Sequence, residues 1–176
     1  SDGARMSLTK NLPVASGIGG GSADAAATVR ALVRLWGVTL TTHGLSGLAL
    51  SLGSDVPVCL FGRSAYMRGI GDQIEPGPIL PSLYLVLVNP GVLVSTPEVF
   101  KSRQRPYSQT LPDLDETDDV EDFVDQLARR GNDLWASALD TAPVIGNVID
   151  MLEATEDCLL ARMSGSGATC FGLFRT

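Results

Sequence analysis

The feature that most constrains this chain is a run of glycines that leads directly into an alanine-rich apolar segment. Four of the five residues 17–21 are glycine. Ser22 follows as the predicted N-cap, and residues 23–35 carry alanine, valine and leucine at helical spacing. Glycine lets backbone N–H groups approach a ligand closely, and a helix N-terminus carries partial positive charge. The stretch therefore predicts a loop that binds a phosphate group.

Two common nucleotide-binding loops do not fit these residues. A P-loop needs a lysine followed by Ser or Thr after its last glycine, and no lysine follows Gly21. The dinucleotide fingerprint needs a glycine where Ser22 or Asp24 stands, depending on where the match begins. A linker or tight turn is the remaining alternative. It is disfavoured because an apolar segment precedes the glycines and a strong helix pattern follows them.

Composition limits the classes of partner and compartment. The net charge of −7 argues against nucleic acid or an anionic membrane as the main partner, and no run of eighteen apolar residues predicts a membrane helix. The beginning of the sequence shows no signal-peptide pattern. The three cysteines lie in apolar stretches without a CxxC pair, and His43 is the single histidine. We therefore expect buried free thiols in a reducing compartment, and no metal site built from cysteine and histidine.

Apolar runs and turn residues predict the remaining elements. The acidic residues 113–125 predict a solvated loop that leads into an amphipathic helix, and the prolines of residues 75–81 mark a candidate domain boundary. Thr41 or Thr42 is the expected cap of a helix that Gly53 ends, and Thr96 is the expected cap of another. Strands are predicted at residues 6–9, 56–62, 83–88 (buried), 159–163 and 170–174, and a hairpin at 63–72. Further helices are predicted at 120–127, 132–139 (capped by Asn132) and 143–154.

Four stretches, in order along the chain, resemble the motifs of the GHMP kinases. They are LPVASGIGGGSADAAATVRALVRLWG (12–37), LGSDVPVCLFG (52–62), VNPGVLVSTPEVF (88–100) and RMSGSGATCFGLF (162–174). The resemblance implies an α+β fold. Residues 1–78 would be the later part of a ribosomal-S5-like ATP-binding domain, and residues 79–176 a ferredoxin-like domain on the substrate side. Compared with the family, the N-terminal strands and a final helix are expected to be absent.

The resemblance also implies a reaction. The stretches are most similar to the family branch that uses ATP and Mg²⁺ to phosphorylate the 2-hydroxyl of 4-diphosphocytidyl-2-C-methyl-D-erythritol, in the non-mevalonate isoprenoid pathway of the bacterial cytoplasm. Two alternatives stay open: a GHMP kinase of the mevalonate or homoserine type, and a fragment that binds nucleotide weakly or not at all. A homodimer is an open option. The expected partner is a small molecule.

Site residues follow from matching the motifs position by position. Asp55 would be the catalytic base, although the residues alone favour a turn or N-cap role for it. Phe100 would stack on cytosine or be a core aromatic, and Asp24 would complement the helix dipole in the first turn. The residues expected at the ATP phosphates are Pro13, Val14, Ala15, Ser16, Gly17, Ile18, Gly19, Gly20, Gly21, Ser22 and Ala23. Those on the substrate side are Thr96, Phe100, Gly165, Ser166 and Gly167.

Positive charge at the ATP phosphates could come from Mg²⁺ or from a lysine side chain. Ser22 is the expected Mg²⁺ contact, because its hydroxyl lies at the junction of loop and helix. Lys10 is either a cation near the ATP phosphates or a solvated surface lysine. The family's catalytic lysine belongs to a region absent from this chain, and Lys10 is not assigned to replace it.

Overall fold

The computed structural model describes residues 3–12 and 17–175, which form a mixture of helices and antiparallel strands. The chain divides into two compact units. The first unit takes its described residues from 1–14 and 19–78, and the second takes them from 15–18 and 79–176. None of the described helices is both long and apolar enough to cross a membrane.

The first unit, as far as it is described, contains three helices and one hairpin. They are α1 (Gly20–Trp36), α2 (Thr42–Leu52), α3 (Val56–Phe61), β1 (Ala65–Arg68) and β2 (Gln73–Pro76). The three helices meet at a small buried cluster formed by Ala26, Ala49 and Val56. Two of these side chains are single methyl groups, so the helix backbones can approach each other closely. A hairpin forms here as predicted, but it extends past residues 63–72, because its second strand begins at Gln73, opposite Arg68.

Residues 56–61 form helix α3, so the prediction of a strand there is wrong. A short apolar run fits a buried strand or a buried helix equally well, and tertiary contacts decide between them. Pro57 lies in the first turn of α3, where its missing N–H is tolerated, and Gly62 ends the helix in a left-handed conformation. The Arg30 guanidinium of α1 donates to the carbonyl oxygens of Cys59 and Leu60, at 2.9 and 2.6 Å. These bonds satisfy carbonyl groups at the end of α3.

The predicted strand at residues 6–9 is also wrong for the part of the chain that the structure describes, because no sheet partner lies beside it. The side chains of Met6 and Leu8 are exposed. Alternating apolar residues predict a strand only if another strand is present to pair with, and the described sheets hold none for this segment.

The second unit is built on a three-stranded antiparallel sheet. Its elements, within the described residues, are β3 (Tyr84–Val88), α4 (Thr96–Ser102), α5 (Val120–Ala128), α6 (Trp135–Thr141), α7 (Val144–Glu153), β4 (Cys158–Met163) and β5 (Cys170–Phe174). The strand order is β3-β5-β4. Helix α7 packs on β4 and β5. The core between helices and sheet includes Val99, Ala138, Ile145, Leu152 and Cys170, all buried.

Strand β3 forms where it was predicted, but it is not buried. The side chains of Tyr84, Leu85, Val86 and Leu87 remain 64, 55, 44 and 49% exposed. Within the described residues β3 pairs with β5 alone, so it is an edge strand. An unbroken apolar run indicates a strand, whereas its burial depends on which neighbours are present to cover it.

Helix starts agree with the predictions only in part. Thr41 caps α2 as predicted, and its hydroxyl oxygen accepts from the Gly44 amide at 3.1 Å. Helix α4 starts one residue earlier than predicted, with Ser95 at the N-cap position. Asn132 does not cap α6, which begins at Trp135. Its side chain instead accepts from the Leu134 amide at 2.9 Å, in the turn before the helix.

Truncating Ile145 tests how much of the second unit depends on α7. Ile145 is fully buried, whereas Met151 on the same helix is 71% exposed. Ile145→Ala leaves a cavity, and we expect it to lower the free energy of unfolding by about 2–5 kcal/mol. Met151→Ala is the control and should cost less than about 0.5 kcal/mol. Urea denaturation measures both values. Equal costs for the two changes would contradict the described packing of α7.

Candidate functional site

Helix α1 begins with backbone amides that no side chain caps. Gly19 occupies the N-cap position with φ 68°, and Gly17 has φ 74°, so both lie in the left-handed region that favours glycine. The first intrahelical bond runs from the Ala23 amide to the Gly19 carbonyl oxygen at 2.9 Å. The amides of Gly20, Gly21 and Ser22 therefore precede the helical hydrogen-bond ladder, and they are directed out of the N-terminus. This is the arrangement that binds anions at helix starts.

The structure corrects the role of Ser22 and leaves four predicted contacts undescribed. Ser22 is the third residue of α1 and not its N-cap, because the helix begins at Gly20. Its hydroxyl belongs to the first turn. The predicted phosphate contacts at Pro13, Val14, Ala15 and Ser16 lie outside the described residues.

Lys10 lies beside the start of α1. Its Nζ forms an ion pair with Asp24 Oδ2, and a Cβ added at Gly20 would lie 4.0 Å from this nitrogen. Asp24 is not in the first turn, which holds no acidic residue, so the prediction of a first-turn dipole role is wrong. Asp24 instead holds the lysine amine next to the open amides of the helix.

Asp55 stands at the N-cap position of α3, but its carboxylate does not cap the helix. Oδ1 accepts from the Ser54 hydroxyl at a long 3.4 Å. The side chain is half-buried. The turn interpretation is therefore right for the backbone, and the carboxylate itself keeps lone pairs for another partner. Burial, with a smaller contribution from the nearby Asp55 charge, raises the pKa of the Cys59 thiol, so this neighbour stays neutral.

The contacts between α1 and α3 place Asp55 along the helix. Val56, the first residue of α3, shares a buried cluster with Ala26 in the second turn of α1. One turn further along α1, Arg30 reaches the carbonyls at the end of α3. These contacts follow the same order in both helices, so we infer that α1 and α3 run in the same direction. Asp55 directly precedes Val56, the first residue of α3, which shares the buried cluster with Ala26.

In the second unit, the loop of residues 164–169 connects β4 to β5. The Ser164 amide donates to the Thr169 carbonyl and the Gly167 amide to the Ser164 carbonyl, both at 2.9 Å. Ser166 and Thr169 are buried. The predicted residues Thr96 and Ser166 are brought together, with 2.7 Å between their hydroxyl oxygens. The Ser166 hydroxyl is therefore already partnered inside the unit.

The sequence analysis assigned no role at this loop to three residues whose side chains hold it. Asn89 Nδ2 donates to Thr169 Oγ1 at 2.8 Å, and Ser164 Oγ donates to the Gly17 carbonyl oxygen at 2.8 Å. Asn132 Nδ2 donates to the Gly165 carbonyl oxygen at 2.7 Å. Asn89 precedes a Pro-Gly turn and could have been suspected from that. The other two contacts span more than thirty residues and leave no local signal.

Phe100 is not a core residue. Its ring on α4 is 48% exposed, so the interpretation as a core aromatic is wrong. An exposed ring leaves an aromatic face open to a planar partner.

The three cysteines are all free thiols, but only Cys170 is fully buried, while Cys59 and Cys158 are partly buried. Burial raises the pKa of Cys170 to about 11, so this thiol is neutral at physiological pH.

The described side chains could contribute to a metal site only if phosphate oxygens and waters supplied most of the ligands. Among the described residues, no group of three or more His, Cys, Asp and Glu could hold an ion. The Asp24 carboxylate is taken by Lys10. Mg²⁺ in phosphate-transferring sites commonly uses one or two protein oxygens together with phosphates and waters, and the Ser22 hydroxyl could be such an oxygen.

Two sequence models of one family match the chain. The model "GHMP kinases N terminal domain" matches residues 2–63, and "GHMP kinases C terminal" matches residues 115–176. The chain belongs to the GHMP kinase family. The expected α+β fold is thereby confirmed, since a solved crystal structure of 4-(cytidine 5'-diphospho)-2C-methyl-D-erythritol kinase superposes with a TM-score of 0.74 at 35% identity, over 93% of this chain and 59% of that one.

Individual members of the GHMP kinase family are similar over nearly the whole chain. A protein of Paramagnetospirillum magneticum named 4-diphosphocytidyl-2-C-methyl-D-erythritol kinase is 54% identical over 172 residues, which are 98% of this chain and 60% of the relative. A protein of the same name from Rhodospirillum rubrum is 53% identical over 171 residues, with 97% and 56% covered. The chain thus spans less than two thirds of the length of these relatives.

Alanine at Gly17 and at Gly19 separates backbone strain from crowding. Both residues have positive φ, but a Cβ at Gly17 would lie 2.3 Å from the Gly167 carbonyl oxygen, whereas at Gly19 it meets open space. We expect Gly19→Ala to cost about 1–2 kcal/mol from conformation alone. Gly17→Ala adds a backbone clash and should cost clearly more in urea denaturation. Equal costs would contradict the close approach of Gly17 to the loop.

Proposed function

We propose that this GHMP kinase chain carries the phosphate-binding and base residues of an enzyme that transfers the γ-phosphoryl group of ATP to the 2-hydroxyl of 4-diphosphocytidyl-2-C-methyl-D-erythritol. The observation that carries the proposal is the uncapped start of α1 with Lys10 beside it. Its acceptor is suggested by the names of relatives that are about half identical to this chain. We place the reaction in the cytoplasm of a bacterium.

The triphosphate would bind at the start of α1. The amides of Gly20, Gly21 and Ser22 offer three donors at the positive end of the helix dipole. Gly17, Ile18 and the residues before them complete the predicted loop. Lys10 adds a positive charge that can bond a phosphate oxygen while Asp24 keeps it in place. Mg²⁺, when bound to the phosphates, would neutralise part of their charge, with the Ser22 hydroxyl as its proposed protein ligand.

Asp55 would accept the proton of the attacking hydroxyl. The hydroxyl oxygen forms the new bond to the γ-phosphorus, the bond to the ADP oxygen breaks, and the proton passes to the carboxylate. The Asp55 carboxylate does not cap α3, so it can accept this proton without first losing a strong hydrogen bond.

The acceptor would contact the second unit. The exposed ring of Phe100 offers a face for cytosine stacking. The Ser166 hydroxyl is paired with Thr96, so in this proposal the loop at Gly165, Ser166 and Gly167 contributes backbone groups. Thr96 then acts by holding the loop.

Two alternatives have their own tests. Phosphorylation of mevalonate or homoserine in preference to the cytidine-containing alcohol would move the chain to another branch of the family. The relatives are longer than this chain, so an ATP-turnover assay on the 176-residue chain alone tests the inactive-fragment alternative: weak or absent ATP binding without turnover would support it, and robust turnover would rule it out. Sedimentation of the same sample tests whether the chain forms a homodimer.

Asp55→Asn removes the proposed base with almost no change of shape. We expect kcat to fall about 10²–10⁴-fold, because general-base catalysis contributes that much. The Kd for ATP should stay the same, since Asp55 does not bind phosphate. Asp150→Asn, the same change on an exposed residue of α7, is the control. Near-normal turnover of Asp55→Asn would refute the base role.

Lys10→Met tests the cation at the start of α1. Loss of a charge-assisted hydrogen bond should weaken ATP binding about tenfold or more, measured by calorimetry. Lys101→Met, on the exposed surface of α4, should change affinity little. Asp24→Asn frees the Lys10 amine and should not weaken binding in the way that Lys10→Met does. Unchanged affinity in Lys10→Met would return Lys10 to the class of solvated surface lysines.

A further inference from the structure

Asn132 connects three segments of the second unit through one side chain. Its Nδ2 donates to the Met163 carbonyl oxygen at 3.2 Å and to the Gly165 carbonyl oxygen at 2.7 Å. Its Oδ1 accepts from the Leu134 amide at 2.9 Å. Both N–H groups and the carbonyl of the amide are thus in use. The side chain ties the turn before α6 to the end of β4 and to the loop of residues 164–169.

This loop in turn holds the backbone of Gly17. The Ser164 hydroxyl donates to the Gly17 carbonyl oxygen at 2.8 Å. The same oxygen lies 3.3 Å from where a Cβ at Gly165 would stand, and a Cβ at Gly17 would lie 2.3 Å from the Gly167 carbonyl oxygen. Gly17 and Ile18 belong to the second unit. They directly precede Gly19, whose left-handed conformation starts α1.

We propose that Asn132 is a positioning residue for the phosphate-binding stretch, and that it acts through the Ser164 hydroxyl on Gly17. Asn132 sets where residues 163–165 lie, and the Ser164 hydroxyl in turn holds the carbonyl of Gly17, a residue of the predicted phosphate-binding loop. The importance of this chain of contacts for catalysis rests on the proposed function. The contacts themselves do not depend on that function.

The chemistry explains why an amide is required at position 132. Two carbonyl oxygens and one N–H face the side chain, so it must donate twice and accept once. Asp has the same shape and keeps the acceptor for Leu134, but it offers no donors and sets a negative charge against two carbonyl oxygens. Asn132→Asp therefore removes the two bonds to residues 163 and 165 while leaving the turn before α6 intact.

Amide hydrogen exchange of the 176-residue chain tests the link. We compare peptides that cover residues 17–22 and 164–169 in the wild type, Asn132→Asp and Ser164→Ala. Asn132→Asp should speed exchange about three- to tenfold in both peptides, the effect of losing hydrogen bonds of ordinary strength. Ser164→Ala should speed it chiefly in residues 17–22, and Ser164→Thr, which keeps a hydroxyl, should restore protection.

The double variant decides whether the effect passes through Ser164. In the Ser164→Ala background, Asn132→Asp should add little to exchange at residues 17–22, while it still loosens the loop. Asn147→Asp, the same change on the exposed face of α7, should alter neither peptide. The proposal is overturned if Asn132→Asp speeds exchange in the loop but leaves exchange at residues 17–22 unchanged. It is also overturned if Asn132→Asp has its full effect at residues 17–22 in the Ser164→Ala background.

Two further measurements keep the outcome decisive. If Asn132→Asp does not fold, the pair Ser164→Ala and Ser164→Thr still tests the second contact, and equal exchange in both overturns it. ATP titration of the same proteins separates this inference from the proposed function. If the wild type does not bind ATP, the proposed function fails, whereas the exchange data still decide the link. If the wild type binds, Ser164→Ala should weaken binding about threefold or more, because the loop is less well ordered before the ligand arrives.

Discussion

The start of α1 depends on two glycines in the left-handed conformation. Gly19 turns the chain so that the amides of the first helical turn have neither a side-chain cap nor an intrahelical partner. A side chain at N-cap that accepted those amides would stabilise the helix by about 1 kcal/mol and would occupy the donors. The structure gives up that stabilisation and keeps the donors open. Open amides at the helix start suit a chain that binds an anion there. If no anion were bound, the missing cap would only weaken the helix.

Sequence patterns predicted the elements whose formation is decided locally. The hairpin, the Thr41 cap and the glycine that ends α2 all follow from residues within a few positions of each other. The errors occur where distant contacts decide. Residues 56–61 form a helix because α1 lies alongside and Arg30 satisfies the carbonyls at its end. The exposure of β3 depends on which strands and helices lie beside it, which its own five residues do not encode.

The candidate site shows the same division. The glycine run was recognisable because backbone conformation restricts the residue type, and Asp55 was recognisable through its resemblance to a family motif. The pairing of Lys10 with Asp24 spans fourteen positions, and that of Ser164 with Gly17 spans 147. Polar residues in loops have many candidate partners, so sequence spacing alone could not select these two.

The Lys10–Asp24 pair also bears on how a phosphate could be bound without a permanently unpaired charge. Both side chains are about one third exposed, so the pair itself adds little to stability. An ammonium group has three donors, and one carboxylate oxygen does not use them all. Asp24 can therefore hold the lysine in place before a phosphate ligand binds and remain bonded afterwards, so that binding loses less side-chain entropy than it would with a free lysine. Asp24 lies one turn beyond the helix start, where the dipole that it was expected to complement is strongest. Its contribution to phosphate binding would therefore be to hold Lys10 in position.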